Sequence, residues 1–70
     1  MANVEAEMVA NVWKVLVEAG ASVNEGDTLV ILESMKMEIP VVAPQSGTVT
    51  AVNVAEGGVV QEGDVIAVVE

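Results

Sequence analysis

Leu29-Val30-Ile31-Leu32-Glu33-Ser34-Met35-Lys36-Met37-Glu38-Ile39-Pro40-Val41-Val42 is the stretch that decides the fold. Four apolar residues, six mostly polar ones and a second apolar run read as two strands joined by a tight turn. A two-residue turn at Met35-Lys36 sets Ser34 against Met37, Glu33 against Glu38, Leu32 against Ile39 and Val30 against Val41. Two features are poor choices for stability. Tight hairpin turns favour Asn-Gly or Asp-Gly, because their central residues need positive φ. Met-Lys there costs about 1–2 kcal/mol per residue. Glu33 opposite Glu38 is a like-charge cross-strand pair, which is mildly destabilising. Local rules broken without a structural gain are where function is expected.

Outward from the hairpin, the chain repeats itself at an offset of 37 residues. Val12 falls on Val49, Val15 on Val52, Val17 on Val54, Gly20 on Gly57 and Val23 on Val60. Glu25-Gly26-Asp27 falls on Glu62-Gly63-Asp64, Leu29 on Ile66 and Ile31 on Val68; upstream the match fades to Ala6 on Ala43 and Ala10 on Gly47. Each copy reads strand, turn, short strand, turn, strand. Val15 and Val17 alternate with Lys14, Leu16 and Glu18 at the period of a half-buried strand. Leu16 matches Asn53, so it faces out; Trp13 matches Thr50, so it is half covered. Gly followed by Asp is turn chemistry. No phosphate-binding spacing surrounds Gly57-Gly58. Residues 6–14 have the composition of a short helix, but the repeat and Val4, Val9 and Val12 favour extended chain.

The expectation is an all-β fold of two similar halves, about four short strands each, related by approximate two-fold symmetry. Two antiparallel sheets face each other across an aliphatic core. The hairpin tip lies between the copies, and the chain ends meet at the symmetry-related place. The composition agrees. Seventeen of 70 residues are Val, none is Phe or Tyr, and Trp13 is the lone aromatic. Val and Ile pack well on a pleated surface. One domain, residues 1–70, is expected at this length.

Composition also excludes functions. The net charge of −9 argues against nucleic acid, whose phosphates need Lys and Arg to neutralise them, and against anionic membrane surfaces. It suits solubility of a Val-rich chain or docking to a basic partner. No apolar run approaches the ~20 residues of a membrane-spanning helix. There is no Cys or His, hence no disulfide, thiolate metal site or imidazole base. The start, Met1-Ala2-Asn3-Val4-Glu5, lacks the basic character of a signal peptide, so a cytoplasmic protein is expected; a short, highly charged chain is most simply a monomer.

Lys36 is one of two lysines in a chain without Arg. An amine held in water as an ammonium is a poor nucleophile, and nothing in the sequence desolvates it or takes its proton. A modifying enzyme could supply both the deprotonation and an activated acyl donor. A lysine singled out on a rigid turn is therefore suited to carry a prosthetic group. The neighbouring Met35 and Met37 are adaptable contact residues, unless they fold back onto the core.

At this point the chain resembles the biotinyl/lipoyl attachment family. Glu33-Ser34-Met35-Lys36-Met37 is similar to that family's biotin acceptor motif, Glu-Ala/Ser-Met-Lys-Met. The continuation from Ile39 through Ala43-Pro44-Gln45-Ser46-Gly47 resembles the family's passage into its second half, with Gln45 where many members have Met. The resemblance covers essentially the whole chain. It implies a flattened barrel, or barrel-sandwich hybrid, of two four-stranded halves with quasi-two-fold symmetry. It implies that Lys36 is the covalent biotin site, that Met35 and Met37 are read by biotin protein ligase, and that Glu33, Ser34 and Glu38 flank the acceptor. It further implies a non-catalytic carrier, taking carboxylate from a biotin carboxylase site to a carboxyltransferase site. Lipoyl domains usually carry Asp-Lys-Ala at this turn, yet lipoate on Lys36, in a 2-oxoacid dehydrogenase-type complex, is the alternative cofactor. An unmodified interaction module is a third reading, for which Lys36→Arg would change nothing. Independent catalysis by Glu33 and Glu38 would need a cleft that a hairpin tip does not offer.

Overall fold

The computed structural model describes residues 2–70; Met1 of the N-terminal reading lies outside them. Its elements are β1 (Ala2–Glu5), β2 (Ala10–Val15), β3 (Ser22–Val23), β4 (Thr28–Ser34), β5 (Met37–Val42), β6 (Gly47–Val52), β7 (Val59–Val60) and β8 (Val65–Val69). They form two four-stranded antiparallel sheets, ordered β1-β8-β6-β3 and β5-β4-β2-β7. An offset of 37 residues carries β1 to β5, β2 to β6, β3 to β7 and β4 to β8. One sheet order thereby becomes the other, as the repeat predicts. No helix forms at residues 6–14: Ala10 to Lys14 are extended in β2, as expected, while Glu7 and Met8 form a bend before it.

The core is built from equivalent pairs: Val12 and Val49, Val23 and Val60, Leu29 and Ile66, Val30 and Ala67, Leu32 and Val69, and Ala6 and Ala43 are all buried. Aliphatic side chains fill this space, and no polar or charged residue is buried among the described residues. β5 tolerates Pro40 because it is an edge strand, where the missing N–H need not pair.

Hydrogen bonds outside the ladders obey the same symmetry. Leu16 N–H donates to the Leu29 carbonyl and Asn53 N–H to the Ile66 carbonyl, at 2.9 and 2.8 Å. Ala43 N–H donates to Asp27 carbonyl and Ala6 N–H to Asp64 carbonyl, at 2.8 and 2.9 Å, so each copy closes on a turn of the other. Those turns hold Gly26 and Gly63 at φ of 90° and 89°, a region open to Gly without steric cost. The carboxylates of Asp27 and Asp64 accept from the N–H groups of Asn24 and Gln61, at 2.8 and 2.9 Å.

The structure departs from simple alternation at several bulges, between Val4 and Glu5 on β1 and between Thr28 and Val30 on β4 among them. β2 carries a bulge between Val12 and Lys14, and β6 an equivalent one between Val49 and Ala51. An extra residue in one strand bends it and turns successive side chains the same way, so Trp13 and Lys14 are both exposed. Val17 then lies beyond the end of β2, although it still packs on the core. Leu16 faces out and Trp13 is half covered, as expected. The chain ends meet: Ala2 pairs with Val69, the equivalent of Ile39 pairing with Leu32.

Candidate functional site

The β4–β5 hairpin brings all six residues singled out in the sequence to one end of a body measuring 31 × 17 × 17 Å. The register is Leu32 to Ile39, Glu33 to Glu38 and Ser34 to Met37, leaving Met35 and Lys36 as the two-residue turn. Leu32 is buried and Ile39 packs against the core, so they anchor the base of the turn. Alternation then sends Glu33 and Glu38 outward, side by side, while Ser34 is half-buried.

Met35 and Lys36 have φ of 51° and 66°, the only positive values at non-glycine residues among those described. Two successive left-handed residues define the mirror-image turn that matches the twist of paired strands. An Asn-Gly pair would adopt it at lower cost. The side chains recover nothing by packing: Met35 is 88% exposed, Met37 61%, and Lys36 is exposed as well. Neither methionine folds back onto the core.

The tip is convex. A shallow groove of about 210 Å³ lies instead along β1 and β5, between Val4, Glu5, Met8, Ile39 and Val41. Among the described residues no group of acidic side chains is placed to hold a metal ion. The Glu33–Glu38 pair stands exposed beside this tip. What the arrangement can do is present one primary amine, on a two-residue turn, to a partner that surrounds it. An amide to that amine needs no pocket in this chain, so a tethered acyl group fits.

Two four-stranded sheets with a lysine exposed at a positive-φ hairpin tip are the class of fold and site this chain presents. The sequence profile of the biotin/lipoyl family, described as "Biotin-requiring enzyme", matches residues 2–69, and the chain belongs to that family. It is 54% identical over 67 residues to the biotinylated protein TB7.3 homolog of Mycobacterium leprae, covering 96% of this chain and 94% of that one. It is 52% identical over 64 residues to the biotin/lipoyl attachment protein of Bacillus subtilis, covering 91% and 88%. Among solved structures, the urea carboxylase of Kluyveromyces lactis superposes with a TM-score of 0.91 at 33% identity; the match takes in 99% of this chain and 6% of that one.

One feature escaped the reading of single residues: the distribution of exposed apolar side chains between the two sheets. Its signal was present in the repeat, which pairs Trp13 with Thr50 and Leu16 with Asn53.

Proposed function

We propose that this protein is a biotin carboxyl carrier, biotinylated on Lys36 by a biotin protein ligase. The observation that carries the reading is the hairpin tip itself. Lys36 is exposed between two exposed methionines, on a turn whose backbone has no stabilising reason to be Met-Lys. The relatives named as biotinylated and biotin-attachment proteins support the choice of group.

In the acylation, the ε-amine of Lys36 loses a proton to the ligase and forms an amide with the activated carboxyl of biotin, whose leaving group departs. Met35 and Met37 are the apolar surface the ligase reads on either side of the amine. Their thioethers adapt to a groove without altering the fold, because neither contributes to the core. The rigid strands below, anchored by Leu32 and Ile39, keep the amine on a fixed post. Bound biotin supplies the capacity to carry carboxylate between a biotin carboxylase and a carboxyltransferase. The chain itself supplies position and reach, not catalysis. The cytoplasm, where ATP is at hand for the ligase, is the compartment this reading favours.

The test is an intact mass and peptide map after incubation with biotin protein ligase, ATP and biotin. A single biotinyl addition on Lys36, absent in Lys36→Arg and with Lys14 untouched, is expected. No addition to the folded wild-type chain sinks the reading. The name of the Bacillus subtilis relative includes lipoate, so the same assay with a lipoyl ligase distinguishes that alternative on the same amine.

A further inference from the structure

We propose that the outer face of the β5-β4-β2-β7 sheet, with the residue that follows β2, is the docking surface for the ligase that acylates Lys36, with Trp13 on β2 and Leu16 just beyond it as its principal apolar contacts. This rests on the acceptor role of Lys36 proposed above. Its ground is the internal symmetry of the molecule. Positions 37 residues apart occupy equivalent places in the two sheets, so the fold asks the same of both. Where they differ, something other than the fold is responsible.

Trp13 is 44% exposed and Leu16 52%; their equivalents are Thr50 and Asn53. Val59 and Val9, also exposed, correspond to Ser22 and Ser46. Met8 and Val42 correspond to Gln45 and Glu5. Every exposed large apolar residue with an equivalent in the other half thus has a polar one there. Met35 and Met37 have none, because the chain ends stand opposite their turn. The bulge does not explain Trp13, since β6 makes the same bulge with Thr50. Scattered exposed apolar residues need no explanation. A one-sided set, with polar residues at the equivalent places, does.

Trp13, Val42 and Val59 lie in strands of the sheet that carries the acceptor, and Val9 and Leu16 directly precede and follow its strand β2. Across its outer face, Asn11, Glu33 and Glu38 form one row beside the turn, and Val59 extends it on β7. Ile31 and Pro40 form the next row, with Trp13 and Lys14 bulging beside Ile31. Two residues of strand separate the rows, about 7 Å. Lys14 places its ammonium 5.6 Å from the centre of the Trp13 ring.

The ligase is the occupant these distances favour. An unmodified amine reaches only one lysine side chain beyond the turn, so the catalyst must close over the tip and meet the rows beneath it. An enzyme that later handles the far end of a loaded arm has no such need. The glutamates beside the turn and the net charge of −9 call for a basic surface around an apolar socket. Trp is the residue most often found at the energetic centre of such contacts.

The test is steady-state biotinylation of Trp13→Thr combined with Leu16→Asn, which installs on β2 and its extension the residues β6 and its extension already carry. The KM for the apo-protein is expected to rise about ten-fold, as for loss of an interface anchor, with kcat within about two-fold. Thr50→Ala with Asn53→Ala should leave both constants unchanged. A folded double variant with wild-type KM overturns the docking surface while leaving the acceptor role intact. Absence of biotin on wild-type Lys36 overturns both. Should the double variant not fold, the Lys36→Arg chain titrated with ligase provides the second measurement. The Trp13 indole N–H, the single indole signal of this chain, and the Asn11 and Val59 amides are expected to shift in NMR spectra, while Thr50 and Ser22 stay still. Shifts confined to residues 33–38, or equal on both sheets, overturn the proposal.

Discussion

Met35 and Lys36 sit in left-handed backbone at a position where Asn-Gly is the low-energy choice. Lys36 accounts for itself as the acceptor. Met35 does not account for itself by packing, so its cost is separable from the fold. Met35→Asn should raise the stability of the apo-protein by roughly 1 kcal/mol, since Asn tolerates this region and Met does not. The same variant should slow biotinylation. Chemical denaturation and ligase kinetics on one sample check both; a variant that is destabilised would show that Met35 supports the turn after all. The turn and its residues could be placed from sequence, because a two-residue connection leaves a single register for the hairpin. Where Met35 and Met37 point could not: each could as well have covered the core, and only the closed core below the turn leaves them in solvent.

Strand β6 illustrates the limit of reasoning by repeat. The offset sets Gly47 opposite Ala10, and Ala10 is buried without conflict. At Gly47, however, a Cβ would overlap the backbone carbonyl of Glu70 and come within 3.3 Å of Val69 Cγ1. Thr48 and Glu70 exchange two hydrogen bonds at this point, of 2.7 and 2.8 Å, which hold the carbonyl in place. Gly47→Ala should therefore cost about 1–3 kcal/mol, as overpacking does. Thermal unfolding checks it; an unchanged Tm would mean that the end of β8 gives way freely. The bulges of β2 and β6 were likewise absent from the alternation of the sequence. A bulge adds one residue to one strand, and only the pairing partner reveals that the count is uneven.

For the molecule as a whole, two copies of one motif exchange turns across a shared core, and the charge is unbalanced, with eleven acidic residues against two lysines. Such self-repulsion opposes the compact state. Salt screens it, with a Debye length near 30 Å at about 0.01 M falling to about 3 Å at 1 M. The Tm is accordingly expected to rise by several degrees between those conditions with sodium chloride. A Tm that falls instead would point to net attractive charge pairing on the surface.

The sequence by itself determined the all-β class, the two-fold repeat, the hairpin register and the place of Lys36 at its tip. These follow from local causes: the period of apolar residues, turn chemistry and the identity of a short motif. Tertiary structure alone decided which face of each strand met water around the bulges, that Gly47 has no room for a Cβ, and that both tip methionines stand free. It also decided that Trp13 and Val59 share one outer face with the hairpin, because a common face is a property of paired strands and of no strand alone.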